Sequence, residues 1–215
     1  MKIVILDLDD TIYNFESFYR QAFIDVSFFL SKKSNVKQSI IFRNMMMLYK
    51  KNNLNVIDEI LKKLNLKIRY KKKCISIYRY SKKKLFMYKD VKKFLMFNTY
   101  AMYLVTDGNK IMQKEKIKTL KIEKYFKKIY ITNQYGLKYN KPSLHCFIKI
   151  KRNEKCNFKD MCYVADNPIK DFVNLKKNNI KTIRLMRGVY KNFKISKKYD
   201  SDYKIKNFTE LSNLI

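Results

Sequence analysis

Five short apolar runs punctuate the chain: KIVIL (2–6), YAMYLV (100–105), KIYIT (128–132), MCYVA (161–165) and KTIRL (181–185). Runs of this length, rich in β-branched and aromatic residues, predict strands buried on both faces. Between the later runs, apolar residues recur three and four positions apart in IMQKEKIKTLKI (111–122) and PIKDFVNLKKN (168–178), which predicts helices. Strand alternating with helix predicts an α/β fold, a Rossmann-like doubly wound parallel sheet with helices on both faces. The chain's end repeats the theme, with a weak strand at YKI (203–205) and a closing helix at FTELSNLI (208–215).

Residues 15–84 break the alternation. FESFYRQAFIDVSFFL places Phe15, Phe18, Ala22, Val26 and Phe29 at helical spacing, and IIFRNMMMLY and NVIDEILKKLNL read as further amphipathic helices. The expected organisation is therefore a core domain from 1–14 and 85–215, interrupted by a helical domain over 15–84. The Met and Phe stripes of the insert serve as its own core, because periodic apolar residues are what any packed helix needs.

Composition narrows the class. At 215 residues with 47% hydrophobic content, the chain can bury one sizeable core with a smaller insert. The apolar part of residues 1–6 is too short for an export signal, and the longest apolar stretch, FLMFNTYAMYLV, has 12 residues against the roughly 20 of a spanning helix. A soluble cytoplasmic protein with no membrane partner is expected. Cys74, Cys146, Cys156 and Cys162 form no Cys-x-x-Cys pair and stand beside one histidine, His145, so neither zinc nor redox chemistry is suggested and the cysteines read as small hydrophobes. The single histidine also argues against Ser-His-Asp or Cys-His catalysis.

Net charge is +31, from 49 basic and 18 acidic residues. Such an excess suits a polyanion partner, and KIRYKKK (67–73), SKKK (81–84) and the aromatic-interleaved ISIYRYSKKKLF could form a nucleic-acid patch. Lysine, however, is spread along the whole chain, and no helix-turn-helix, RNA-recognition or zinc-finger pattern accompanies it, so solvated faces and a compositional bias are the plainer reading.

Against that background LDLDDTIY (6–13) stands out, with Asp7, Asp9 and Asp10 within four positions at the end of an apolar run. Clustered carboxylates repel one another and need a cation or a shared proton. In a strand, Asp7 and Asp9 share a face, and two such acids can divide labour between an ionised nucleophile or metal ligand and a proton donor. A strand end closed by an Asx turn would use the same residue types. The other strand ends favour chemistry. Val105-Thr106-Asp107-Gly108 offers a hydroxyl and backbone N–H groups for phosphoryl oxygens, Lys141 precedes Pro142, and Ala165-Asp166-Asn167-Pro168-Ile169-Lys170-Asp171 brings another acidic pair. Gly108, Gly136, Pro142 and Pro168, from a chain with three glycines and two prolines, all fall at these rims. Acids from two strand ends, one lysine and one threonine make a magnesium and phosphate site.

DLDDT (7–11), VTDG (105–108), Lys141-Pro142 and ADNPIKD (165–171), in this order and with a helical insert after the first, resemble the four motifs of the haloacid dehalogenase superfamily. The likeness extends to QKEKIKTLKIEKYF (113–126), similar to the helix after the second motif, and to LFMYKDVKKFL (85–95), similar to the return from the family's cap domain. The resemblance implies a Mg2+-dependent phosphatase acting on a small phosphorylated metabolite. Asp7 would attack phosphorus and become an aspartyl phosphate, Asp9 would protonate the leaving oxygen and then activate water, and Thr106 and Lys141 would complete the catalytic set. Substrate would be held by Thr11, Thr106, Asp107, Gly108 and Lys141. The metal would take the Asp7 carboxylate, the Asp9 backbone carbonyl and Asp166, with Asp171 either a ligand through water or a support to the ligands from behind.

Two positions depart from the family pattern: Ala165 stands where glycine is usual, and Asp107 where asparagine is common. Facing inward, Asp107 would weaken phosphate binding or select a substrate bearing a cation. Asp9 argues against a true haloacid dehalogenase, a branch lacking an acid two residues after its nucleophile. A phosphomutase uses the same residues and stays open, as does a non-enzymatic binding or scaffold protein working through its basic surface. Arg20, Tyr19 and Arg43 of the insert are nominated to read the substrate.

Overall fold

The computed structural model describes residues 3–51, 55–81 and 84–215. Six strands form one parallel sheet: β1 (Ile3–Leu6), β2 (Ala101–Thr106), β3 (Lys128–Ile131), β4 (Met161–Ala165), β5 (Lys181–Leu185) and β6 (Tyr203–Ile205), in the order β3-β2-β1-β4-β5-β6. Each lies on a predicted run; Lys2, which opens the first run, lies outside the described residues, as do Lys82 and Lys83 of SKKK. Every residue of β1, β2 and β4 is buried, as expected for central strands with helices on both faces. A core of Ile3, Ile5, Tyr103, Val105, Tyr163, Phe147, Ile150 and Phe172 fills one face.

The helices are α1 (Phe15–Ser31), α2 (Gln38–Lys50), α3 (Val56–Lys63), α4 (Tyr70–Tyr80), α5 (Lys89–Phe97), α6 (Lys110–Leu120), α7 (His145–Glu154) and α8 (Val173–Lys177). Residues 208–215 form only a 3-10 turn over Glu210–Asn213, not the expected helix, and 168–178 is helical only from Val173. The cause of the second difference is local: Asn167 N–H donates to Asp171 Oδ2 and Asn167 Oδ1 accepts from Ile169 N, so the segment after Pro168 is held as a loop. Among the described residues, no helix is long and apolar enough to cross a membrane. Cys74, Cys146 and Cys162 are buried and Cys156 partly so, and none of the four is in a disulfide.

The chain divides into two compact units, Met1–Phe15 with Leu85–Ile215, and Glu16–Lys84. In the first, the sites where the insert leaves and returns are stitched together: Tyr13 bridges Met87 in antiparallel fashion, and Tyr88 N donates to Ile12 O at 3.0 Å. In the second, aromatic rings crowd the interior, with Tyr19 on Tyr49 at 4.0 Å between centroids and Phe23 beside both. Tyr19, nominated as a reader of substrate, is 3% exposed within this core. Arg20 is half exposed, pairing loosely with Glu16 and lying over the Phe42 ring, and Arg43 is exposed.

Candidate active site

Parallel strands place their C-terminal ends along one rim, where ligands bind in such sheets. Asp7 follows β1, and its N–H continues the ladder to Val164 O at 3.0 Å, which locks its backbone to β4. The residue is 5% exposed, and its carboxylate meets Lys141 Nζ at 2.9 Å. The same ammonium contacts Asp171 Oδ1 at 2.8 Å and donates to the Tyr163 hydroxyl at 3.0 Å. Carboxylate oxygens of Asp7, Asp166 and Asp171, all buried, lie within 4.8 Å of one another.

Three buried carboxylates around one ammonium leave uncompensated negative charge. Burial pushes the Asp7 carboxyl up to about 6, with Asp171 adding to the rise and Lys141 and Lys170 opposing it. Asp166 is driven well above the ordinary carboxylate range, first by burial and then by Asp7 and Asp171. Lys141 stays charged because Asp171 and Asp7 outweigh its burial.

Asp9 lies outside the trio. Its carboxylate accepts two contacts from Lys116 Nζ at 2.8 and 2.9 Å, one from the Tyr13 hydroxyl at 2.5 Å and one from Gln113 Nε2 at 3.2 Å. Burial alone would raise its proton affinity, but Lys116 and these donors hold it below the usual range. Asp10 takes the turn role. It sits at φ +53 and accepts from Phe15 N at 2.9 Å, steering the chain into α1. Gly188, after β5, packs so tightly on Asp10 that a Cβ there would lie 2.2 Å from the carboxyl carbon.

Thr106 ends β2, buried, accepting from Gln113 Nε2 at 2.7 Å. Gly108 takes φ +131, which suits glycine alone, and its N–H reaches Asn133 Oδ1 at 3.4 Å. Asp107 is not left as a bare charge facing a phosphate: it accepts from Thr132 Oγ1 at 2.6 Å and Lys141 N at 3.1 Å, and pairs with Lys170 at 3.2 Å. Thr11 is fully buried, its hydroxyl without a partner among the described residues. His145 packs at a tilt against the Tyr139 and Tyr135 rings.

Sequence reasoning missed Gln113, Lys116, Thr132, Tyr163 and Lys170. One signal was available: positions 113, 116, 117 and 120 form an i, i+3, i+4, i+7 stripe in which Gln and Lys share the face of Ile117 and Leu120, all four buried. A polar residue on a buried stripe requires a partner, and here the partner is Asp9.

The sequence matches the haloacid dehalogenase-like hydrolase family over residues 4–185. A glyceraldehyde 3-phosphate phosphatase of Methanocaldococcus jannaschii is 26% identical, the alignment covering 100% of this chain and 97% of that one. Among solved structures, the HAD-hydrolase YfnB of Bacillus subtilis, bound to magnesium, superposes with a TM-score of 0.73 at 14% identity over 99% of this chain and 97% of its own. A β-phosphoglucomutase-like structure from Thermotoga maritima gives 0.73 at 17% identity over 100% of both chains.

Proposed function

The chain belongs to the haloacid dehalogenase-like hydrolases, as an enzyme of their phosphoric-monoester branch, and we propose that it is a Mg2+-dependent phosphatase of a small phosphorylated metabolite working through an aspartyl phosphate on Asp7. The observation that carries the reading is the buried trio of Asp7, Asp166 and Asp171 around Lys141. Its donor set fits magnesium: hard carboxylate oxygens within 4.8 Å of one another, with Asp7 and Asp166 raised in proton affinity first by burial and then by their acidic neighbours, a crowding that a divalent cation relieves. Asp7, Asp166, Asp171 and the Asp9 backbone carbonyl would hold Mg2+, which when bound supplies charge neutralisation for the acids and the incoming phosphoryl group.

In this mechanism an Asp7 carboxylate oxygen forms a bond to phosphorus as the ester P–O bond breaks. Asp9, ionised at rest in its pair with Lys116, must take up a proton before this step and then gives it to the departing alkoxide. Asp9 then takes a proton from water, whose oxygen bonds to phosphorus and releases inorganic phosphate from Asp7. Lys141 holds Asp7 in line and opposes the charge that develops, while the Thr106 hydroxyl and the N–H groups around Gly108 receive phosphoryl oxygens. Asp107 supports this loop from behind through Thr132 and the Lys141 N–H. The curated relative makes triose phosphates the first substrates to screen, with the insert, Arg20 and Arg43 included, acting as the cap that reads them. Four cysteines, none in a disulfide, suit a cytoplasmic setting.

Hydrolysis of p-nitrophenyl phosphate, with Mg2+ and with EDTA, tests the reading beside Asp7→Asn. Turnover that needs the metal and falls by at least about 10³-fold in the variant is expected from loss of the nucleophile. Metal-independent turnover, or an active Asp7→Asn protein, would overturn it.

A further inference from the structure

Helix α6 offers an unusual face to the rim. Gln113 and Lys116, one turn apart, are 1% and 3% exposed, although glutamine and lysine are among the residues least often buried. Both side chains end on the chemistry. Lys116 grips both oxygens of Asp9 and lies over the Phe15 ring at 4.6 Å. Gln113 Nε2 sits within hydrogen-bond range of Asp9 Oδ2, Thr106 Oγ1 and the Asp107 carbonyl, at 3.2, 2.7 and 2.9 Å.

An amide nitrogen only donates. Thr106 Oγ1 must therefore accept from Gln113, and its own proton is directed at the Asp107 carbonyl, 3.4 Å away. A single side chain thus sets the donor direction of Thr106 and touches the carboxylate of Asp9. Gly108 makes this possible, since a Cβ there would press to 3.1 Å from Gln113 Cδ.

We propose that Gln113 and Lys116 are positioning residues that fix the Asp9 carboxyl and the Thr106 hydroxyl in one relative geometry, so that proton delivery to the leaving group and grip on the phosphoryl group act on the same bound substrate. The inference rests on the phosphatase reading and deepens it: it assigns to α6 the control of leaving-group protonation.

Leaving groups provide the test. p-Nitrophenolate departs with little help from a proton, whereas an alkoxide needs one. In Gln113→Met and Lys116→Met, kcat/KM for glycerol 3-phosphate should fall about 100-fold, while that for p-nitrophenyl phosphate should fall by less than about fivefold in Lys116→Met and by about tenfold in Gln113→Met, which also loosens the Thr106 grip on the phosphoryl group. A second readout avoids turnover: orthovanadate binding, followed by tyrosine fluorescence, should weaken about tenfold in Gln113→Met as Thr106 loses the donor that orients it.

Equal losses on both substrates, or no loss, overturn the inference, because a merely structural role lowers both together. Thermal melts accompany each variant, and if Lys116→Met does not fold, Gln113→Met decides alone. Wild-type protein active only on the aryl ester sinks the inference and spares the phosphatase reading. Wild-type protein inert towards both esters and vanadate sinks the two together.

Discussion

Arg184 lies in β5 with its side chain almost wholly buried, donating to Tyr190 O and Phe193 O at 2.6 and 2.9 Å and to Asp200 at 3.2 Å. Asp200 neutralises it. Asp200→Asn should lower stability by about 3 kcal/mol, because a guanidinium left buried without its counter-charge is far costlier than a lost surface pair; thermal unfolding at pH 7 checks this. The pH dependence has a definite sign. Burial alone would raise the Asp200 carboxyl, but Lys204, Ser201 N–H and Arg184 outweigh it and hold it low, so its contribution is complete above the ordinary carboxylate range and fades as pH falls through the folded value. Gly188→Ala presses a methyl group into Asp10 at φ +61, and about 2 kcal/mol of destabilisation should follow, read from the same melts. At this scale the acids of the rim were legible, because carboxylates crowded after an apolar run repel one another and persist where a cation or a proton joins them. The division of labour among them was not. That Asp10 turns the chain while Asp9 is clamped depends on Phe15, Lys116 and Gln113, which are distant in sequence or unremarkable in type.

At the scale of elements, β1 is paired on both sides, to β2 and β4, and its four residues are wholly buried. Ile5→Ala should cost about 4 kcal/mol in a denaturant titration, since a central strand between two neighbours cannot collapse around a cavity. The strands were legible from their β-branched runs; three helices escaped, of which α5 was read only as the return from the insert. In α4, Cys74 alone is fully buried among lysines and tyrosines, so no apolar stripe marks it. In α7, Cys146, Phe147 and Ile150 do form a stripe, but short and flanked by basic residues. The 3-10 turn at the chain's end shows the converse, a helical spacing too short to propagate without further packing.

For the molecule as a whole, a net charge of +31 surrounds a site whose own groups are mainly acidic. The positive field draws anionic esters inward, so KM for a phosphate dianion should rise several-fold between low and physiological ionic strength while kcat holds; kinetics across a salt series decides. Non-specific DNA binding, if seen at low salt, should vanish over the same range, and persistence at high salt would revive a nucleic-acid role. The stitch between Tyr13 and Met87 bears on the chain's history and its engineering alike. Because departure and return are already joined side by side, residues 16–84 form a cassette, and one insert can be exchanged for another without rethreading a strand of the sheet. Tyr13, which fastens that junction, also holds Asp9, so the seam at which such exchanges would be made borders the carboxylate rim.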